Sequence, residues 1–259
     1  MFRDLAAGRE LAWRLTVRDI SAQYRQAFLG ILWAFILPMA NTIAWIFLNS
    51  SGVVKISDTV LPYPAYVFSG TMLWAIFMDA LNAPLQQAKA AKSILTKLNF
   101  PREALIVSGI YQTLFNAVIK IVLLLGALVW FGIHPGRGLL LFPFGILSLV
   151  LVGTALGLLI TPVGMLYSDI GRALPLLMQF LMFVTPVVFP MPEEGWSATL
   201  FAINPLTPVI LSTRDWLTGF TPDYLGYFLL VNVAAVILLL VVWGIYRLAM
   251  PILIERMSA

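Results

Sequence analysis

Six long apolar runs constrain this chain more than any other feature of its sequence. A helix that crosses a bilayer needs about 20 mostly apolar residues, and only 11% of the residues here are charged. A soluble domain carries about 25% charged residues, so a soluble fold is excluded. The sequence predicts an all-α integral membrane protein with six transmembrane helices, at 28–50, 63–85, 104–131, 139–166, 173–191 and 226–250.

Basic residues between the spans predict which side of the membrane each segment faces. With a cytoplasmic N-terminus, twelve Lys and Arg residues fall on the cytoplasmic side and three fall outside, namely Lys55, Arg137 and Arg214. Such an excess marks the cytoplasmic side of a membrane protein. We therefore predict a multi-pass protein of the cytoplasmic (inner) membrane with both termini in the cytoplasm. The net charge of +4 then reflects topology, and we predict no nucleic-acid partner.

Residues 9–27, before the first span, have the pattern of an amphipathic helix. An apolar stripe at helical spacing consists of Trp13, Val17, Ile20, Tyr24 and Phe28. Arginines fall on another face, and such a helix lies in the membrane interface near anionic headgroups. We predict an N-terminal interfacial helix that contacts membrane lipids, whereas the alternative is the polar start of an ordinary first helix. The residues that we assign to this interfacial helix as candidate site residues are Arg14, Arg18, Asp19, Tyr24 and Arg25.

The stretch 190–225 is too long and too apolar for a bare external loop. A helical stripe within it consists of Leu206, Val209, Ile210, Thr213 and Leu217. We predict two short external re-entrant helices before the last span, near 196–203 and 206–218. The alternative is a surface cap without function.

Two ionisable side chains lie inside predicted spans, where charges are costly and often functional. Counted from the cytoplasmic ends of their spans, Asp79 lies ~9 Å deep and Lys120 lies ~24 Å deep. We expect no direct ion pair between them, because these depths differ by ~15 Å. Lys120 is predicted to face the bundle or to snorkel toward the surface. A functional and a structural role for Lys120 both stay open.

Several motifs are absent from the sequence. It has no cysteine, one histidine, no GxxxxGK[ST] phosphate loop, no HExxH and no GxSxG. We predict no catalytic site, no metal site and no cofactor in this chain. Gly153 and Gly157 form a GxxxG pair, which we expect to pack within the bundle rather than against a second copy.

The longest predicted cytoplasmic connection, residues 86–103, contains a basic segment broken by proline. Good helix formers precede Phe100, which the following Pro101 pushes away from helical geometry. Glu103 lies in the first turn of the next span, where a carboxylate suits the positive end of a helix. The pattern predicts a short helix across the membrane surface, joined by a bend to a rigid span. The alternative is a solvated loop whose lysines only set topology.

Four segments, in order along the chain, carry a family resemblance: RDISAQYRQAFLGILWAFILP (18–38), KLNFPREAL (97–105), SDIGRALPLLMQFLMFVTPVVFP (168–190) and NPLTP (204–208). They resemble the permease subunits of ABC-2 type polysaccharide exporters, which move O-antigen, capsule or teichoic acid chains. The likeness covers nearly the whole chain and implies that residues 1–259 form a single ABC-2 type transmembrane domain.

The resemblance implies a homodimer paired with two copies of a cytoplasmic ATPase, which binds ATP and Mg. It implies that the segment after span two docks on this ATPase, so that the coupling residues are Leu95, Lys97, Leu98, Phe100, Pro101, Arg102, Glu103, Asp169 and Arg172. It further implies that spans one and five line a path for an undecaprenyl-linked glycan. The candidate path residues are Trp33, Trp45, Phe180 and Phe183, to which we add Lys120.

Taken together, these features predict the permease subunit of an ATP-driven exporter of lipid-linked polysaccharide, with O-antigen as the first cargo. Capsule, teichoic acid, a drug or another lipid are alternative cargoes. A secondary transporter would need ionisable residues at the midplane and two similar halves. An enzyme acting on polyprenyl lipids would need a cluster of carboxylates or histidines, which the sequence does not contain.

Overall fold

The computed structural model describes residues 2–25, 32–54, 59–92 and 103–258. Among these residues it contains α-helices, one short 3-10 helix at Arg137–Leu140 and no strand. The α-helices are α1 (Phe2–Arg25), α2 (Trp33–Ser50), α3 (Tyr63–Ala90), α4 (Glu103–Trp130), α5 (Phe142–Leu166), α6 (Ser168–Phe183), α7 (Gly195–Ile203), α8 (Leu206–Thr218) and α9 (Leu225–Ser258).

Four helices of the described chain are long and apolar enough to cross a membrane, namely α3, α4, α5 and α9. They correspond to the second, third, fourth and sixth predicted spans, which are thereby confirmed as candidate spans. The helices α2 and α6 have 18 and 16 residues, or about 27 and 24 Å, against a hydrocarbon core about 30 Å thick. The first and fifth spans therefore stay predictions.

The helix at the fifth predicted span, 173–191, begins earlier and ends earlier than those bounds. Only Tyr167, in an extended backbone conformation, separates α5 from α6, so α6 already begins at Ser168. It ends at Phe183, and residues 184–188 form turns. Asn204 holds this end in place, because its Nδ2 donates hydrogen bonds to the Val184 carbonyl at 2.9 Å and to the Thr185 hydroxyl at 2.7 Å.

The helix α3 lies at the centre of the bundle and packs most closely against α5. The glycines of the predicted GxxxG pair make this contact: a Cβ at Gly157 would lie 2.2 Å from the Leu81 carbonyl oxygen, and one at Gly153 would lie 2.6 Å from Ala80 Cβ. The prediction that these glycines pack within the bundle is confirmed.

One end of the bundle, here called the cap end, holds α7, α8 and the 3-10 helix. The predicted helices near 196–203 and 206–218 occur at these positions as α7 and α8. Gly145 at the start of α5 and Gly138 of the 3-10 helix both bring their backbones close to α8. The short helices are therefore confirmed, while their external, re-entrant position stays a prediction.

The opposite end, here called the basic end, holds the C-terminus of α3 and the N-terminus of α4. A buried apolar cluster there joins α1, α4, α5 and α9 through Leu15, Leu105, Leu158, Tyr246 and Met250. The side of α1 that packs on the bundle is that of Leu15 and Thr16, whereas Trp13 of the predicted apolar stripe is 59% exposed. The interfacial position of this helix stays a prediction.

Candidate functional site

Lys120 and Asp79 form an ion pair between α4 and α3, with 2.5 Å between Lys120 Nζ and Asp79 Oδ2. Our expectation that they are too far apart was wrong. It placed the end of the second helix at residue 85, whereas α3 continues to Ala90. Asp79 therefore lies about 16 Å along α3 from the basic end, and Lys120 about 26 Å along α4. The Lys120 side chain leans toward the N-terminus of α4 and covers the remaining distance.

A polar cavity of about 380 Å³ lies directly beside this pair. On α3 its wall is formed at helical spacing by Asp79, Asn82, Ala83 and Gln86. On α4 the wall is formed by Gln112, Thr113 and Asn116. We call these seven residues the polar cleft. All but one are polar, although both helices are among the candidate membrane spans.

Toward the basic end, a hydrogen-bonded chain connects the polar cleft to α1. Gln87 Nε2 donates to Gln112 Oε1 at 2.8 Å and to Asp19 Oδ2 at 3.2 Å. Arg18 pairs with the same Asp19 carboxylate at 2.7 Å. The predicted interfacial residue Asp19 therefore joins α1 to α3, Arg18 pairs with it within α1, and Arg14 forms an exposed pair with Glu10. The side chains of Tyr24 and Arg25 lie outside the described part of the structure.

The structure brings together two of the candidate path residues, Trp45 of α2 and Phe183 of α6. Their ring centroids are 6.1 Å apart, and both rings contact Phe189. Two further candidates, Trp33 and Phe180, have exposed side chains on the same two helices. The contact between α2 and α6 is thus established, and a role for these residues in a path stays a prediction.

The predicted coupling residues divide into two groups. Leu95, Lys97, Leu98, Phe100, Pro101 and Arg102 lie outside the described residues. Asp169 and Arg172 are exposed on the first turns of α6. They lie at the basic end, because a Cβ added at the intervening Gly171 would lie 2.9 Å from Lys89 Nζ.

Glu103, the remaining predicted coupling residue, is buried. Its Oε1 accepts a hydrogen bond from Arg247 Nε at 2.9 Å. This pair joins the first turn of α4 to α9 at the basic end. Glu103 therefore contacts α9 at the base of the bundle, and a part in coupling stays a prediction.

At the cap end, Arg214 of α8 is only 2% exposed. Its guanidinium carbon lies 3.8 Å from the centre of the Tyr66 ring, and Nη2 donates to the Val187 carbonyl at 3.1 Å. Gly70 permits this arrangement, since a Cβ there would lie 2.4 Å from Nη2. Arg214 thus ties α8 to α3 and to the turns after α6. From the sequence, Arg214 was predicted only to be an external charge.

The polar cleft was not predicted from the sequence, although the signal was present there. Carboxamide side chains recur four residues apart in two otherwise apolar helices, as Asn82 and Gln86 in α3 and as Gln112 and Asn116 in α4. Such spacing places them on one helical face. Within the described residues no group of three or more His, Cys, Asp or Glu side chains is arranged to hold a metal ion.

A bundle of long apolar helices with four candidate spans is the architecture of an integral membrane protein. The sequence profile of the ABC-2 type transporter family matches residues 10–217. This match covers most of the chain, and the protein therefore belongs to the ABC-2 type transporter family. Members of this family are transport subunits whose ATPase is a separate subunit.

Two relatives show what kind of family member the chain resembles. It is 26% identical over 215 residues to the O-antigen export system permease protein RfbA of Myxococcus xanthus, a match that covers 82% of each chain. It is 24% identical over 231 residues to the polysialic acid transport protein KpsM of Escherichia coli, which covers 84% of this chain and 87% of that protein.

Proposed function

We propose that this chain is the permease subunit of an ABC transporter that exports a lipid-linked polysaccharide. The observation that carries the proposal is its similarity, over more than four fifths of its length, to permeases named for O-antigen export and polysialic acid transport. O-antigen is the cargo we favour, because the relative with the higher of the two identities carries that name. Capsule, teichoic acid, a drug or another lipid are alternative cargoes.

The working assembly in this proposal is a homodimer with two copies of a cytoplasmic ATPase. ATP and Mg bind to the ATPase, and the permease is an integral protein of the inner membrane with both termini in the cytoplasm. The basic end then faces the ATPase and the cap end faces outward. The charge bias of the sequence supports this orientation, as does the exposure of Asp169 and Arg172 at the basic end.

The faces of α2 and α6 supply the second part of the proposal. Both helices expose large apolar side chains, among them Trp33, Phe47, Leu177 and Phe180. We propose that these faces meet the second copy and the glycan, with Trp45 and Phe183 behind them in the aromatic cluster. We also propose that the lipid carrier of this glycan is undecaprenyl.

Deletion of the chain from its host tests the function. Lipid-linked glycan should accumulate inside the cell and disappear from the surface, and the wild-type chain should restore export. If surface polysaccharide is unchanged after deletion, the proposed cargo is wrong and a drug or small-lipid cargo takes its place.

Replacement of Leu95 and Leu98 by Asp tests the coupling segment in the same cells. Membrane insertion should survive because no positive charge is lost, whereas co-purification of the ATPase and export should both be lost. Leu140→Asp is the matched control, since Leu140 is exposed at the cap end and should leave ATPase binding intact. Normal ATPase binding by the double variant would refute the coupling role.

A further inference from the structure

We propose that the polar cleft between α3 and α4 is a binding site for a neutral sugar residue of the exported glycan. The inference rests on the proposed function and adds a sugar site on a helix pair other than α2 and α6. The first observation is that the cleft places polar side chains within two candidate membrane spans. Polar side chains that face hydrocarbon without a hydrogen-bond partner destabilise a membrane protein.

Two of the polar side chains in the cleft form hydrogen bonds within their own helices. Asn82 Nδ2 donates to the Met78 carbonyl at 2.8 Å, and Thr113 Oγ1 donates to the Gly109 carbonyl at 2.9 Å, so both side chains bond within their own helices. Asn116 Oδ1 is buried and has no hydrogen-bond partner among the described residues.

Bonds between the two helices occur instead at the two ends of the cleft. Lys120 and Asp79 bridge the helices at one end, and Gln87 and Gln112 bridge them at the other. The structure therefore holds a cavity open between two fixed bridges.

The charges of the cleft select the class of ligand. Asp79 is already paired with Lys120, and the other polar side chains are carboxamides and a hydroxyl. A divalent cation would require several carboxylates, and a phosphate would require unpaired positive charge. Asn and Gln each present a donor and an acceptor, and a sugar hydroxyl is likewise both donor and acceptor.

The size and the access of the cavity fit the same ligand. Its volume of about 380 Å³ lies at the lower end of the range for small-molecule sites, about 300 to 1,000 Å³. The Asp79 side chain is 32% exposed, and Gln86 is exposed at the rim. A sugar residue could therefore enter from the side of the bundle.

Cysteine labelling tests the site, because the chain contains no natural cysteine. Gln86→Cys and Asn116→Cys should react with a membrane-impermeant maleimide, since a thiol is reactive only where water supports its thiolate. Val118→Cys is the matched control: Val118 lies on α4 near Asn116, is 58% exposed and is outside the cleft, so it should face lipid and stay unlabelled.

Labelling is then repeated in membranes from host cells that make the lipid-linked glycan and from cells whose glycan synthesis is blocked. Bound glycan at about ten times its Kd should slow labelling of both cleft positions about tenfold by mass action.

No labelling at either position would overturn the proposal, because the cleft would then be covered by lipid or by a second copy. A disulfide between copies through Gln86→Cys would likewise overturn it, and equal rates in both membranes would mean that the cleft holds water only.

A substitution provides the functional readout. Asn116→Leu keeps the branched shape and the number of side-chain heavy atoms and removes hydrogen bonding, so it should lower export and abolish glycan protection at position 86 while protein level and ATPase co-purification stay normal. Asn232→Leu is the control, since Asn232 lies in α9 and donates to its own helix at 2.8 Å. If Asn116→Leu exports normally and position 86 stays protected, the cleft does not bind sugar. This outcome leaves the proposed function intact, because that function is tested by deletion of the chain.

Discussion

Replacement of Lys120 by Met should destabilise the protein far more than removal of both members of its ion pair. Lys120→Met deletes the cation and leaves Asp79 without its partner. The two side chains are 11% and 32% exposed, so neither charge is fully hydrated. Loss of one member of a buried pair costs about 3 to 5 kcal/mol. Because Asp79 borders the polar cleft and its side chain is 32% exposed, we expect a smaller cost than this, about 2 to 3 kcal/mol.

The double variant Asp79→Asn/Lys120→Met should be close to the wild type in stability. It removes both charges, together with the desolvation that each charge cost on folding, and such replacements are often neutral. The coupling free energy from the double-mutant cycle should therefore be at least about 2 kcal/mol, the range found for residues in direct contact.

Thermal unfolding of the purified protein in detergent measures the effect. For a chain of this size about 1 kcal/mol shifts Tm by about 2 to 4 °C, so Lys120→Met should lower Tm by about 4 to 12 °C. Arg137→Met, at an exposed position of the 3-10 helix, is the control for loss of a positive charge. If the Tm changes of the two single variants simply add in the double variant, the ion pair contributes nothing and the reasoning fails.

Three further predictions follow from other parts of the fold. A cysteine at Glu194 should be labelled only from outside the cell, and labelling only from the cytoplasm would refute the proposed topology. Gly157→Ala should destabilise the bundle by about 2 kcal/mol through the clash with Leu81, as seen by thermal unfolding beside Gly244→Ala, where a Cβ meets nothing within 4 Å. Burial raises the pKa of Asp215, which is outside the candidate spans, to about 6; stability should therefore fall as pH rises from about 4 to about 6. Asp215→Asn should remove this dependence, and an unchanged pH profile of unfolding would contradict the assignment.

The sequence predicted the helices wherever local signals decide their bounds. Apolar runs located α4, α5 and α9, and the apolar stripe that begins at Leu206 located α8. The end of α3 was predicted at residue 85 because the apolar run stops there. The helix nevertheless continues through Gln86 and Gln87, since these polar residues are good helix formers and Gln87 has partners on α1 and α4.

Long-range contacts decided what the sequence could not predict. The end of α6 depends on Asn204, which lies twenty positions beyond Val184 in the chain. The position of Arg214 depends on Gly70, far away on α3. The ion pair of Lys120 was missed because an error of a few residues in one helix end became an error of about 8 Å in depth. Periodicity reports the face of a helix, and it carries no information on which helix that face meets.

The ion pair and the unpaired carboxamide of the polar cleft affect the stability of the protein differently. This difference distinguishes a structural role from a functional one. Lys120 and Asp79 satisfy each other, so their joint removal should leave a stable bundle. Asn116 has a buried acceptor without a partner among the described residues, which destabilises the resting protein. Asn116→Leu should therefore stabilise the protein in detergent while it lowers export. A variant that loses stability and export together would instead mean that Asn116 holds the helices in place.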